Sequence, residues 1–265
     1  MILTKDNTGE ELTLIRSADI DRFNDASIPF FFATCQDAGG LHSEIFGYSA
    51  EKLLKEKGWT WIILRNRINF YKIPHYCQRI KVVTWAQNGY KLFFPRMVSG
   101  YDENGDKVFD AMTEWVLFDV VHKRPMRPSV LENAFPVPRE EMLKDPSTLG
   151  KMKSWDEQEK KEILPPAFPK PEYYDVDLNK HINNVVYVRW IVSALDDAFL
   201  ESHVPVMMDV SWVTQTFEHD EVRVETAILE ESDEGNVSLL HRIIKKNEKG
   251  EEKECFSALS SWRRK

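Results

Sequence analysis

The sequence lacks any long apolar run. No stretch approaches the ~18–20 consecutive apolar residues that a membrane-spanning helix needs. The start of the chain, Met1 to Ile20, mixes charged side chains with single apolar ones. It therefore has neither the apolar core of a signal peptide nor the Arg- and Ser-rich character of a transit peptide. These absences argue against membrane insertion and targeting, and we expect a cytoplasmic location.

Cysteine is also scarce. Cys35, Cys77 and Cys255 are the only three in 265 residues, and no Cys-x-x-Cys pair occurs. This spacing argues against a disulfide framework or a cysteine-rich zinc site, and it is typical of free thiols in a reducing compartment. We therefore expect no bound metal.

Basic residues are fewer than acidic ones. The 35 Lys and Arg against 43 Asp and Glu give a formal net charge of −8, which argues against broad nucleic-acid binding. Short basic runs at Lys123–Arg124, Lys245–Lys246 and Arg263–Lys265 are either local patches for an acidic partner or simply solvated faces. With 42% hydrophobic residues the chain can form a sizeable core, and its length fits one large domain or two small ones.

Prolines concentrate in one segment. Nine of the 13 lie between Pro125 and Pro171, so this stretch is predicted to be a linker with one short helix. The predicted organisation is an N-terminal half over residues 1–122, a linker over 123–172 and a C-terminal half over 173–265.

The two halves follow one plan. Gly105–Trp115 resembles Gly250–Trp262, and Arg79–Thr84 resembles Glu221–Thr226, at a nearly constant interval that indicates duplication. Each half is predicted to contain a long helix and then adjacent strands, which favours an α+β fold with an antiparallel sheet over alternating βαβ units. The predicted helices cover about 29–46 and 184–200, with a short one after Ser49; the predicted strands cover about 61–72, 78–86, 91–101, 107–120, 207–217, 221–231, 237–247 and 252–264.

Both long helices lack a broad polar face, so each is expected to be buried against its sheet. The first also contains Gly39 and Gly40, which indicate a close contact with another element.

One polar run just past the linker carries the strongest functional signal. Asp177, Asn179 and His181 alternate at a spacing of two, which in an extended chain puts three side chains on one face. Asn183 or Asn184 can then cap a helix, since the apolar residues that follow recur with helical period. The pattern predicts a carboxylate, an amide and an imidazole ahead of free helix N-terminal amides, which suit a developing oxyanion.

This run resembles the signature of acyl-(acyl carrier protein) thioesterases, D-x-N-x-H-x-N-N-x-x-Y-x-x-W, which here covers Asp177 to Trp190. In the first half, Trp61–Arg65, Val83–Trp85 and Trp115–Asp119 look like the family's amino-terminal motifs in the right order. The resemblance covers roughly residues 5–265. It implies a double hotdog, in which two curved antiparallel sheets each wrap a long buried helix, and it implies no metal and no organic cofactor.

The resemblance also implies an activity. The family hydrolyses the thioester between a fatty acyl chain and the phosphopantetheine arm of acyl carrier protein, releasing free fatty acid in fatty acid biosynthesis. It assigns Asp177, Asn179 and His181 to the site and leaves the first half to hold the acyl chain. A glutamate from a following strand usually completes the site, and this chain has Gln215 there. An off-by-one strand register would instead place Thr214 or Thr216 in the site.

The site residues suit thioester hydrolysis, although the sequence leaves more than one role open for some of them. Thioester hydrolysis needs an activated water, a stabilised carbonyl oxygen and a proton for the leaving thiol. His181 can serve as base or proton shuttle, because an imidazole titrates near neutral pH. Asp177 can orient His181, activate water itself, or only form a turn. Asn179 and Gln215 cannot remove a proton, so we expect them to position substrate or water.

Two other functions remain open at this point. One is hydrolysis of acyl-CoA, because both donors share the phosphopantetheine arm. The other is binding of acyl chains with little catalysis, which the missing glutamate at Gln215 motivates. A double hotdog already contains the interface by which single hotdogs dimerise, so both a monomer and a homodimer are compatible with the sequence.

Overall fold

The computed structural model divides the chain into two units, Met1–Gly150 and Lys151–Lys265, so the boundary falls inside the proline-rich segment. The structure describes residues 1–131, 134–136, 138–144, 148–177 and 179–265. In these ranges, none of the helices combines the length with the hydropathy that a membrane-spanning segment requires.

The first unit combines two helices with an antiparallel sheet. Its sheet runs in the order β1-β2-β4-β5-β6-β3, with β7 beside β6. The elements are β1 (Ile2–Leu3), β2 (Gly9–Leu14), α1 (Ile28–Ile45), α2 (Ala50–Lys57), β3 (Trp59–Phe70), β4 (Arg79–Ala86), β5 (Phe93–Tyr101), β6 (Lys107–Asp119) and β7 (Arg124–Met126).

The second unit also combines helices with an antiparallel sheet, here in the order β9-β12-β11-β10-β8. The elements are β8 (Glu162–Ile163), α3 (Asn184–Ser193), α4 (Asp197–Ser202), β9 (His203–Trp212), β10 (Glu221–Glu231), β11 (Val237–Lys246) and β12 (Glu252–Arg264).

The two units share one topology. In each, the first long strand after the long helix lies beside the last long strand, giving β3-β6-β5-β4 and β9-β12-β11-β10. Gly105 and Gly250 occupy equivalent turns before the last strand, with φ of 83° and 82°, a left-handed conformation that glycine adopts without steric cost. The predicted α+β class and the two-copy hotdog plan are confirmed.

Helix α1 buries one side against the sheet, where aromatic and small residues make the contact, and leaves the other side exposed. Phe31 packs edge-on against Phe70 of β3 and Phe109 of β6, with ring centroids 5.1 and 5.4 Å apart. A Cβ atom at Gly39 would lie 3.2 Å from the indole of Trp115, so the missing side chain lets helix and sheet approach. The expected close contact is thus confirmed at Gly39, whereas Gly40 faces open space.

The single helix predicted over 184–200 is wrong, because the chain forms two helices there. Helix α3 ends at Ser193, and Asp196 begins α4 by accepting the Ala198 N–H at 2.8 Å. Asn183 caps α3, since its Oδ1 accepts the Val185 N–H at 3.0 Å. The cap expected at either asparagine therefore falls on Asn183, and Asn184 is the first helical residue.

Described residues of the proline-rich segment pack against the sheet of their own unit. Its first part packs on the outer face of the first sheet, where the Trp85 indole donates to the Met142 carbonyl at 3.0 Å and Leu149 N–H donates to Glu114 at 2.8 Å. In the second unit, Trp155 packs against Ala227. The short strands β1, β2, β7 and β8 were not predicted, because two to six residues at a sheet edge carry little alternation.

We predict that Asn183→Ala lowers the free energy of unfolding by about 1 kcal/mol, the usual cost of losing an N-cap. Asn184→Ala is the matched control and should change stability less, because its backbone carbonyl still accepts the Trp212 indole N–H. Urea unfolding of both variants measures the difference. Equal losses would show that the Asn183 cap adds nothing to the stability of α3.

Candidate active site

The motif residues lie on a tight turn that a short bridge closes, just before helix α3. Val176 and Ile182 form an antiparallel bridge. The Asp177 N–H donates to the His181 carbonyl at 2.8 Å, and Lys180 N–H donates to the Asp177 carbonyl at 3.0 Å. Lys180 has φ of 63°, in the left-handed region. The extended conformation expected from the alternating spacing is therefore wrong, because this positive φ and the cross-turn bonds reverse the chain.

The carboxylate of Asp177 organises this turn. Its Oδ1 accepts the backbone N–H groups of Asn179 at 2.8 Å and His181 at 3.2 Å. Its Oδ2 receives a long contact of 3.5 Å from the Asn179 side-chain amide. The structure therefore brings Asp177, Asn179 and His181 together, and it gives Asp177 the turn-forming role that the sequence left open.

The imidazole of His181 has a ring neighbour that the sequence did not reveal. Phe217 meets it edge to face, with ring centroids 5.2 Å apart and an interplanar angle of 76°. Across the described part of the chain, no side-chain or backbone group makes a hydrogen bond with the His181 ring. His181 is half-buried, so its nitrogens are available to water or substrate. The only sequence signal for Phe217 was its place two residues after Gln215.

Gln215 lies on the same segment as Phe217. Its side chain is exposed, while the neighbouring Thr216 is fully buried. Gln215 and Phe217 are both exposed, on either side of the buried Thr216. Its side chain makes no hydrogen bond to any described residue, whereas its backbone carbonyl accepts the ammonium of Lys245.

Thr216 ties this segment to both the turn and the helix. Its carbonyl accepts the Ile182 N–H at 2.9 Å, and its N–H donates to the Tyr187 hydroxyl at 3.0 Å. Burial raises the pKa of Tyr187, so the phenol remains neutral. Cys255 lies behind the segment, and burial raises the pKa of its thiol to about 11. A protonated, buried thiol is a poor nucleophile, consistent with a site that does not use cysteine.

An ion pair between a buried carboxylate and an exposed arginine fixes the start of the turn. The Asp175 carboxylate is buried and lies 2.5 Å from the Arg189 guanidinium on α3. The Asp175 carbonyl accepts the Asn183 N–H at 2.8 Å. These bonds hold the turn against the first residues of α3. At that end of the helix the Asn184 N–H has no acceptor among the described residues, so it is available to an oxyanion.

Over the ranges that the structure describes, no three His, Cys, Asp or Glu side chains cluster as a metal site would require. The expectation of a metal-free, cofactor-free site therefore stays a prediction.

Comparison with known proteins connects this geometry to one family. The model of the acyl-ACP thioesterase N-terminal domain matches residues 8–133, and that of the acyl-ACP thioesterase C-terminal domain matches residues 157–264. Oleoyl-acyl carrier protein thioesterase 1, a chloroplastic protein of Arabidopsis thaliana, is 22% identical over 215 residues, which cover 76% of this chain and 59% of the relative. The chain thus spans little more than half the length of this relative.

Solved structures show the same fold. A Lactobacillus plantarum protein assigned as an oleoyl thioesterase has a TM-score of 0.81 at 18% identity, covering 100% of this chain and 99% of that chain. An acyl-ACP thioesterase from Bacteroides thetaiotaomicron has a TM-score of 0.75 at 17% identity, covering 98% and 99%. The two family models, which follow one another along both units, show that this chain belongs to the acyl-ACP thioesterase family.

Proposed function

We propose that this chain hydrolyses the thioester of fatty acyl-(acyl carrier protein) and releases free fatty acid for lipid synthesis. The observation that carries the proposal is the turn just before α3, in a member of this family. It holds Asp177 and Asn179 together with a His181 imidazole that makes no hydrogen bond to any described residue. The phosphopantetheine-linked acyl chain is the substrate, acyl carrier protein is the partner, and the first unit is the half that we expect to hold the acyl chain. We expect the enzyme to act in the cytoplasm, as a monomer or a homodimer.

The reaction follows from the available groups. A water oxygen attacks the thioester carbonyl carbon while His181 takes its proton, and the carbonyl oxygen becomes an oxyanion. The Asn184 N–H at the positive end of α3 and the Asn179 amide can donate to that oxyanion. The C–S bond then breaks, and the proton passes from the imidazole to the leaving thiolate. Asp177 holds the His181 backbone and supplies negative charge near the imidazolium.

Gln215 takes the place of the family's glutamate in this scheme. An amide can accept a hydrogen bond from the attacking water and orient it, but it cannot remove the proton. The base role therefore falls on His181 with Asp177. If the chain hydrolysed no acyl thioester, the alternative would be a protein that binds acyl chains without turnover.

The first activity test concerns His181 and Asp177. We expect His181→Ala and Asp177→Asn each to lower kcat by at least ~10²-fold, the scale of a lost general base. Asp177→Asn is preferred to alanine because its amide oxygen can still accept the backbone N–H groups of the turn, so only the charge is lost. Steady-state turnover of acyl-(acyl carrier protein), with free thiol as the readout, measures both.

Asp102→Asn is the matched control for Asp177→Asn. Asp102 accepts the Asn104 and Asp106 N–H groups in a surface turn of the first unit at 3.0 and 2.9 Å, so the same exchange there should leave kcat unchanged. If Asp177→Asn also left kcat unchanged, Asp177 would serve only to build its turn. If His181→Ala left kcat unchanged as well, the active site would lie elsewhere.

The second test concerns Gln215. We expect Gln215→Glu to keep or raise activity and to move the acidic limb of the pH–rate profile to higher pH, because an added carboxylate stabilises the protonated imidazole. Gln215→Ala should reduce kcat less than His181→Ala does, because it removes an orienting group and not a base. The measurement is the pH–rate profile of the wild type, of Gln215→Glu and of Gln215→Ala. An unmoved limb in Gln215→Glu would place the side chain away from the imidazole.

The third test separates the two acyl donors. We expect kcat/KM for the carrier-bound substrate to exceed that for acyl-CoA at low salt and to fall more steeply with added salt. The reason is that steering between charged surfaces weakens as the Debye length shrinks from ~10 Å at 0.1 M to ~3 Å at 1 M. Faster turnover of acyl-CoA, with equal salt slopes, would instead indicate an acyl-CoA thioesterase.

A further inference from the structure

The segment between β9 and β10 carries Gln215 and Phe217 but leaves the sheet ladder after Trp212. A lysine of the neighbouring strand β11 reaches it. The ammonium of Lys245 donates to the Gln215 carbonyl, lies 3.3 Å from the Asp220 carboxylate and lies 5.2 Å from the centre of the Phe217 ring. One cation therefore contacts three points of this short segment.

This lysine is not a surface charge. Its side chain is 13% exposed and that of Asp220 is 6% exposed. The Asp220 carboxylate also accepts the Phe217 N–H at 2.9 Å, which closes the turn before β10. A buried ion pair contributes little net stability, because desolvation offsets the attraction, but each charge restricts the other to one geometry. Lys245 is thus placed to fix conformation, and it is not available to dock a partner as the sequence allowed.

The same ring connects this pair to the active site. The centre of the Phe217 ring lies 5.2 Å from the Lys245 ammonium and 5.2 Å from the centre of the His181 imidazole. Phe217 is 45% exposed, so core packing holds its ring only in part. Its position depends instead on the backbone bond to Asp220 and on the cation that lies over the ring.

We propose that Lys245 is a positioning residue for the thioesterase reaction: through Asp220, the Gln215 carbonyl and the Phe217 ring, it holds His181 and Gln215 in their working geometry. The role rests on the proposed function, in which His181 is the base. Lys245 itself does not touch substrate. The middle of the segment is held separately by Thr216, whose bonds to Ile182 and Tyr187 do not involve the lysine. Loss of Lys245 should therefore misplace the ring without unfolding the turn.

The test uses four variants. Lys245→Met removes the charge at similar length, and Lys245→Arg keeps a cation that can donate to the same groups. The double variant Lys245→Met with Asp220→Asn removes both charges, so no lone buried carboxylate threatens the fold, and the asparagine can still accept the Phe217 N–H. Lys253→Met is the matched control, because Lys253 lies directly opposite Lys245 on β12 but is exposed.

Two readouts are taken on each full-length protein. The first is kcat and KM on acyl-(acyl carrier protein). The second is the proton resonances of the His181 ring, assigned with His181→Gln, which sense the ring current of Phe217 whether or not the chain is active. Thermal unfolding is recorded alongside to confirm that each variant is folded.

We expect Lys245→Met and the double variant to shift the His181 resonances and to lower kcat by about 10- to 10²-fold with little change in KM, the scale of a small misplacement of a catalytic group. Lys245→Arg should recover most of the loss, and Lys253→Met should match the wild type in both readouts.

Unchanged His181 resonances, or unchanged kcat, in a folded double variant would overturn the proposal. A wild-type chain that hydrolyses no thioester would refute the proposed function, while the His181 resonances would still decide whether Lys245 positions the ring.

Discussion

The geometry of the candidate active site depends on the two backbone hydrogen bonds of Thr216. Its carbonyl accepts from Ile182 at the end of the motif turn, and its N–H donates to the Tyr187 hydroxyl on α3. Turn, helix and the segment after β9 therefore meet at one fully buried residue. Breaking either bond would leave a buried polar group unpaired, at a cost of about 1–3 kcal/mol. The junction therefore ties the turn that carries His181 to helix α3 and to the segment that carries Phe217.

The two units share one topology but use a histidine in different ways. The first unit repeats the strand order of the second, but the buried imidazole of His42 serves inside the fold. His42 accepts from the buried Arg96 guanidinium at its Nδ1 and lies 3.1 Å from the Asn7 carbonyl at its Nε2. Burial lowers the pKa of His42 to about 4, so the ring stays neutral and links α1 to the sheet and to the start of the chain. In the second unit, His181 is half-buried and open to a ligand.

Much of the fold could be predicted from the sequence, for identifiable reasons. Strands β4 and β10 alternate apolar and polar residues over part of their length, and glycines at positive φ mark the turns before β6 and β12. The split between α3 and α4 could not be predicted, because the apolar period continues to Phe199 while the Asp196 cap restarts the helix. The edge strands were missed because they are short and gain their partners only from the folded sheet.

The sequence by itself determined which groups are present at the site: a carboxylate, amides and an imidazole at motif spacing, followed by a capped helix. It also identified the unusual Gln215. Only the tertiary structure decided that Asp177 points back to bond the turn's own backbone, that Phe217 covers His181, and that Lys245 lies inward against Asp220. The Asp177 bonds are local, but which way its carboxylate turns depends on the conformation of the closed turn. The contacts of Phe217 and Lys245 join groups from different strands and loops. Residue spacing encodes the local period of a chain, but it does not encode which distant side chains share a burial site once the sheet has formed.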